Sequence, residues 1–284
     1  MKTLSLGYSP CPNDTFIFYA LIHGRIDTGY LKFNEILLDV ETLNQKALGA
    51  ELDITKISYH AFAHLRDKYS LLRAGSALGR GCGPLVVTKH AYTMEELRSK
   101  KIAIPGKLTT AFLLLRLYDT AFNTLTPEPQ TLNPVYIEMP FNKIMDAVAK
   151  DEVDAGLIIH ESRFTYPSYG LTQVIDLGEW WEKETGLPIP LGGIIAKQTS
   201  GEDLNKKTGE LVRQSVEYAF KNRNEPTAYI KEHSQELSDD VINRHIDLYV
   251  NDYSLDIGQD GEKAVKELFS RAEDAGIIPK LKQQ

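Results

Sequence analysis

Chemistry in this chain would have to come from a few short stretches. Ser9-Pro-Cys-Pro-Asn-Asp-Thr-Phe16 gathers hydroxyl, thiol, amide and carboxylate groups in a loop stiffened by Pro10 and Pro12. Asn13 or Asp14 can cap the helix that follows, and a helix start facing a cleft binds anions, because its first N–H groups lack internal acceptors. Gly106-Lys-Leu-Thr-Thr-Ala-Phe112 makes a similar turn, where Thr109 or Thr110 can cap a helix while the other hydroxyl and the free N–H groups hold a carboxylate. Lys56-Ile57-Ser58 occupies an equivalent strand-to-helix turn earlier in the chain. Two such turns facing each other would clamp an acidic ligand. His160 directly follows the apolar run Gly156-Leu-Ile-Ile159 and precedes Glu161-Ser-Arg163. A histidine leaving a buried strand emerges at a cleft rim, and its ordinary pKa suits general-base work near neutrality.

Other stretches point elsewhere. His60 and His64 stand four residues apart, yet no glutamate follows the first histidine as a zinc-hydrolase helix requires, so no metal site is expected. Cys11 between prolines reads as a small loop filler rather than a nucleophile. Gly75–Gly83 is glycine-rich without matching a dinucleotide or phosphate-loop pattern. Trp180 and Trp181 read as packing or as a cleft wall.

Short apolar runs alternating with helical patterns predict an α/β fold with mainly parallel strands. In the first stretch the strands are Thr3–Tyr8, Phe33–Leu38, Ile54–Ile57, Ser70–Ala74 and Pro84–Thr88. Lys101–Ile104, Val135–Glu138, Gly156–Ile159 and Val174–Leu177 form a second set. After Gly192–Lys197 the pattern is helical to the end. Pro84-Leu-Val-Val-Thr-Lys89 and Gly192-Gly-Ile-Ile-Ala-Lys197 look alike and bracket the second set. Taken as neighbouring hinge strands, they divide the chain into one lobe of residues 1–89 and 193–284, carrying both termini, and an inserted lobe of residues 90–192. A central cleft between lobes is where ligands usually bind.

Composition narrows the partners. The 284 residues carry a net charge of −7 and no run of more than two basic residues, which excludes a nucleic-acid footprint. A small acidic substrate needs only local donors and remains compatible. Two cysteines form no disulfide framework, the start of the chain lacks a continuous apolar leader, and no apolar run is long enough to span a membrane. A soluble, cytoplasmic protein is expected; self-association to a homo-oligomer is left open.

Taken together, Ser9–Phe16, Asp53-Ile-Thr-Lys-Ile-Ser-Tyr-His-Ala61, Gly79-Arg-Gly-Cys-Gly-Pro84 and Leu157-Ile-Ile-His-Glu161 resemble the 1,4-dihydroxy-6-naphthoate synthase family along essentially the whole chain. The resemblance implies a two-lobed, type II periplasmic-binding-protein-like fold without a transport role. It also implies a cofactor-free, metal-independent conversion of cyclic dehypoxanthine futalosine to 1,4-dihydroxy-6-naphthoate in menaquinone biosynthesis, with release of a three-carbon sugar fragment. In that family the histidine matching His160 is the proposed proton acceptor, and residues matching Lys56-Ile57-Ser58 and Thr109-Thr110 line the substrate site. Two alternatives share the fold. A solute-binding protein for an organic acid would normally carry an export leader, and the Ser-Pro-Cys-Pro-Asn-Asp block favours the synthase over chorismate dehydratase of the same pathway.

Overall fold

The computed structural model describes residues 1–125, 134–234 and 238–280, without the side chains of 122–125. In chain order the first elements are β1 (Lys2–Tyr8), α1 (Pro12–Ile22), β2 (Leu31–Leu37), α2 (Val40–Leu48), β3 (Ile54–Ser58), α3 (Tyr59–Ala63), β4 (Tyr69–Leu71) and β5 (Ala77–Gly79). Then come β6 (Leu85–Thr88), β7 (Lys101–Ile104), α4 (Thr110–Leu125), β8 (Val135–Glu138), α5 (Phe141–Ala149), β9 (Ala155–Ile158), α6 (Ser162–Thr165), β10 (Thr172–Asp176) and α7 (Leu177–Thr185). The chain closes with β11 (Ile189–Lys197), α8 (Glu202–Lys221), α9 (Thr227–His233), α10 (Asp239–Tyr249), α11 (Asp252–Leu255) and α12 (Gly258–Asp274).

Two sheets result. The first runs β2-β1-β3-β11-β4, with β5 also paired to β11; the second runs β10-β6-β9-β7-β8. In the first, β1 is parallel to β2 and β3, whereas β11 runs antiparallel to β3, β4 and β5. In the second, β7 is parallel to β8 and β9, and β6 is antiparallel to β9 and β10. The sheets are therefore mixed rather than mainly parallel: each keeps a parallel core laid down by βαβ crossovers and gains antiparallel strands where the chain crosses between sheets.

The likeness of Pro84–Lys89 to Gly192–Lys197 does not make them neighbours. Leu85–Thr88 lies in the second sheet between β9 and β10, and Gly192–Ala196 lies in the first against β3. Both are fully buried strands, and burial on two faces selects the same small apolar residues whatever the partner. The chain enters the second sheet between Gly79 and Leu85 and leaves it between Asp176 and Ile189. Leu177–Thr185, of which the sequence assigned only Leu177 and that to a strand, is a helix capped by the Asp176 carboxylate, which accepts from the N–H groups of Gly178 and Glu179.

One apolar layer packs α1 against α8 and α10 over the first sheet, one packs α5 on the second, and a third runs between the sheets from Ile57 and Leu43 to Leu113 and Leu157. No helix among the described residues is long and apolar enough to cross a membrane. The helix α1 is buried along almost its whole length, including Asn13, Asp14 and Thr15. Polar groups kept inside need partners, and those partners form the site.

Candidate active site

Between the sheets lies a partly open cavity of about 90 Å³. Asn13, Asp14, Lys56, Ile57, Ser58, Thr109, Thr110 and His160 all line it. Ser58 ends a strand of the first sheet and Thr109 follows a strand of the second, so the two stand on opposite walls.

The first wall is ionic. Strand β3 carries Lys56 inward, where its ammonium lies 2.5 Å from Asp14 Oδ1, both side chains being under a tenth exposed. The other oxygen of Asp14 accepts from the Ser9 hydroxyl at 2.7 Å and the Ser9 N–H at 3.3 Å. Asn13 Nδ2 also donates to Asp14, at 2.8 Å, and Asn13 Oδ1 faces His245 Nε2 at 3.0 Å. Asn13 and Asp14 do not cap α1. Cys11 takes the cap position without a side-chain bond, and Pro12 opens the helix. Proline suits a first helical position, where its missing N–H is no loss, so the two polar residues enter the first turn and turn inward. Ser58 completes this wall: its N–H donates to Asn44 Oδ1 at 3.0 Å and its hydroxyl oxygen accepts from Asn44 Nδ2 at 3.2 Å. Among the described residues none accepts the Ser58 hydroxyl proton, which leaves it for an acceptor in the cavity.

The second wall is neutral. Thr109 caps α4, its hydroxyl accepting from the Phe112 N–H at 3.2 Å and donating to Gly106 O at 2.8 Å. Thr110 does not hold its hydroxyl free for a ligand, as the sequence suggested. Instead it donates to Leu191 O at 2.6 Å and accepts from the His60 N–H at 3.3 Å, tying the lobes together. What this helix start offers a ligand is its leading backbone N–H groups. Nearby, Gly106 has φ +154, and a Cβ there would stand 2.5 Å from Glu41. That close approach lets the Glu41 carboxylate of α2 accept from the Leu108 N–H, a second link between lobes.

His160 belongs to the second wall, in the turn after β9. Its backbone is left-handed, φ 57, a conformation that costs a side-chain-bearing residue of order 1 kcal/mol and concentrates at functional sites. The turn directs its ring into the cavity, edge-on to Phe141 at 5.1 Å and parallel to His245 at 6.1 Å between centroids. Burial depresses the His160 pKa to about 4; Asp14 pulls it upward and Lys56 downward, so the imidazole is a neutral base at pH 7. The reactive atoms of Cys11, His160 and Glu161 lie within 4.8 Å of one another. Burial, and then the charge of Glu161, raises the Cys11 thiol well above its usual range. A protonated thiol is a poor nucleophile and a poor ligand, and a cation on His160 would occupy the lone pair that a base must use. His60 is likewise neutral, its pKa pushed by burial to about 4, with Nδ1 3.3 Å from Thr109 O. Trp181 is fully buried with its indole N–H on Pro188 O at 3.1 Å, and Trp180 packs edge-on to Tyr118; both are packing residues.

Sequence reasoning passed over His245 and underused Glu161. A signal for His245 was present: Ile242, His245, Ile246 and Tyr249 recur at helical spacing and are the buried residues of α10.

Comparison with known proteins identifies the family. Residues 4–274 match the family model described as menaquinone biosynthesis. The chain belongs to the menaquinone biosynthesis family. It is 51% identical over 277 residues to 1,4-dihydroxy-6-naphthoate synthase of Thermus thermophilus, covering 98% of this chain and 96% of that protein. Identity to the Streptomyces coelicolor protein of the same name is 44%, over 98% and 96% of the two chains. A crystal structure from Archaeoglobus fulgidus superposes with a TM-score of 0.89 at 38% identity, covering 97% of this chain and 98% of that one. A Candida albicans protein described as having the generic periplasmic binding protein fold superposes at 0.69 with 15% identity, over 99% and 92% of the chains, which speaks for the fold alone. The chain is a two-lobed, type II member of that fold class and an enzyme of menaquinone biosynthesis.

Proposed function

We propose that this member of the menaquinone biosynthesis family is a cytoplasmic carbon–carbon lyase that converts cyclic dehypoxanthine futalosine to 1,4-dihydroxy-6-naphthoate and releases dihydroxyacetone. The observation that carries the reading is His160: a neutral imidazole, its pKa lowered to about 4, held at the wall of a partly enclosed cavity opposite an ammonium group. It removes a proton from the bound substrate, the electron pair moves retro-aldol fashion into cleavage of the carbon–carbon bond, and the sugar fragment leaves as the carbocycle becomes aromatic. The step is redox-neutral, so no electron acceptor enters its balance, and aromatisation supplies driving force.

The remaining residues bind and orient. Lys56 and the leading N–H groups of α4 attract the naphthoate carboxylate from opposite sides, the Ser58 hydroxyl donates to a substrate oxygen, and Ile57 gives the ring an apolar contact. Asn13 and Asp14 hold Lys56 in place. Thr109 and Thr110 act through the helix start and the lobe contact. Such positioning with exclusion of water lowers barriers by several kcal/mol. The two lobes that close on the ligand, drawn from the sequence as residues 1–89 with 193–284 and residues 90–192, take their bounds from the sheets: Leu85–Thr88 goes with the second lobe and Ile189–Gly192 with the first. Incubation with cyclic dehypoxanthine futalosine and detection of the dihydroxynaphthoate tests the reading; turnover of chorismate instead would replace it with the dehydratase.

A further inference from the structure

His245 presents a problem of hydrogen-bond balance. Its side chain is fully buried, and Nε2 faces Asn13 Oδ1 at 3.0 Å. The orientation of Asn13 is set chemically: Asp14, which faces Lys56, is an acceptor, so Asn13 turns its amide nitrogen to Asp14 Oδ1 at 2.8 Å and its oxygen to His245. Nε2 must then carry a hydrogen. In the neutral imidazole Nδ1 is left as a lone pair, and it finds no hydrogen-bond partner among the described residues. Glu161 Oε2 lies 3.8 Å from it. Two hydrogen bonds of about 2.8 Å in series span more than this gap unless sharply bent, so a bridging water does not fit in line. An ionised carboxylate facing a neutral Nδ1 would set lone pair against lone pair in a dry interior, where an unmade contact is costly.

We propose that Glu161 and His245 share one proton, held on the Glu161 carboxyl and directed at His245 Nδ1, and that this pair is the positioning device fixing the Asn13–Asp14–Lys56 array beside His160. A movement of roughly 1 Å brings the two atoms to hydrogen-bonding distance. The groups packed around His245 favour this arrangement over an imidazolium. Asn13 comes from α1, with Asp14 behind it, Lys56 from β3, His160 and Glu161 from the turn after β9, with Cys11 of the first loop beside those two, and Tyr249 from α10 itself. Burial first, then His160 and Lys56, hold the His245 pKa well below the ordinary range. Charging His245 would thus place a second cation near Lys56, whereas a protonated Glu161 leaves both partners neutral. The chain of donors then runs one way, from Glu161 to His245 to Asn13 to Asp14, ending on the carboxylate that holds Lys56.

The location of the proton is independent of the lyase reading above; its consequence for turnover rests on that reading. Nitrogen NMR of the free protein, with imidazole nitrogens labelled and the His245 signals assigned by their loss in His245→Asn, reads the first part. The expected spectrum has Nε2 as an N–H nitrogen and Nδ1 as a hydrogen-bonded lone-pair nitrogen, unchanged between pH 5 and 8, about where free histidine titrates. Both nitrogens protonated, or the hydrogen on Nδ1, would overturn the proposal. For the second part, Glu161→Ala is expected to lower kcat roughly 5- to 100-fold by removing a buried hydrogen bond. Glu161→Gln, whose amide donates to Nδ1 as the acid does, should recover most of that loss without moving the pH profile. A Gln variant as impaired as the Ala variant would show that charge, not a donor, is needed, and would also overturn it. Because the spectrum is taken without substrate, an inactive wild type would sink the functional reading and leave the proton assignment to be decided by the spectrum.

Discussion

The two walls of the cavity are built from different forces. The first-sheet wall is a buried charge array, in which Asp14 gathers Lys56, Ser9 and Asn13 within 2.5 to 3.3 Å. The second-sheet wall carries no such array: it offers a helix start, with Thr109 and Thr110 already spent on the protein, and a neutral histidine in a left-handed turn. Charges in a dry site are expensive and stay only when fully partnered, so the first wall is stiff and suited to fixing an anion. The second can carry a base because burial there suppresses charge. Neither wall alone would abstract a proton from an oriented substrate; the division puts binding charge and reactive lone pair on opposite sides of one cavity.

Removing the reactive lone pair should have the largest effect. His160→Ala is expected to keep its fold and bind product while turnover falls at least about a hundredfold, the usual scale for a general base; near-normal turnover would take His160 out of the mechanism. Breaking the charged wall comes next. Lys56→Met leaves Asp14 buried without its cation and should cost roughly 3–5 kcal/mol in stability, read by denaturant melts, because the desolvation penalty stays when its compensation goes. The same change at Arg73, whose pair with Asp256 is about half exposed, should cost under about 1 kcal/mol. Equal losses at the two sites would erase the contrast between buried and surface charge.

Ser58→Ala sharpens the comparison further. It removes a donor to the ligand but no ion pair, so binding should weaken by roughly 1–3 kcal/mol with kcat little changed; unaltered affinity would leave the helix start and Lys56 to do all the binding. The pH response follows from His160. With its pKa at about 4, well under the ordinary value near 6.5, the base stays unprotonated through mild acid, and kcat/KM should hold down to about pH 5 before falling. Between those two values the unfolded chain binds more protons than the folded one, so lowering the pH across that window should also reduce stability. An acid limb near 6.5 would mean that the cavity does not desolvate the ring. The smallest effect is expected at Cys11. Cys11→Ala should remain within about tenfold of wild type, and excess chelator should not abolish turnover, in contrast to loss of a covalent nucleophile or a metal.

How much of this was legible depended on whether the signal was local. His160 could be read because a buried apolar run ends immediately before it, and Lys56, Ser58 and Thr109 because strand-to-helix turns mark ligand positions. The cap of α4 was also local, a threonine before an apolar helix. The long-range choices were not. Nothing in Leu85–Thr88 says that it pairs with β9 rather than β11, since sheet membership is decided by partners far along the chain. Asn13 and Asp14 looked like caps because their residue types favour that role, and Pro12 at the first helical position outweighed them. His245 sits on the apolar stripe of α10, where a histidine reads as core; only the folded chain brings its ring against His160.

In the proposed reaction His160 uses this cavity to break a carbon–carbon bond. The most direct test is to give the purified protein cyclic dehypoxanthine futalosine and measure both products together. The expected result is 1,4-dihydroxy-6-naphthoate and dihydroxyacetone in equal amounts from the wild type, with formation lost in His160→Ala even though that variant still binds the product. Failure of the folded wild type to form either product, or full activity in His160→Ala, would contradict it.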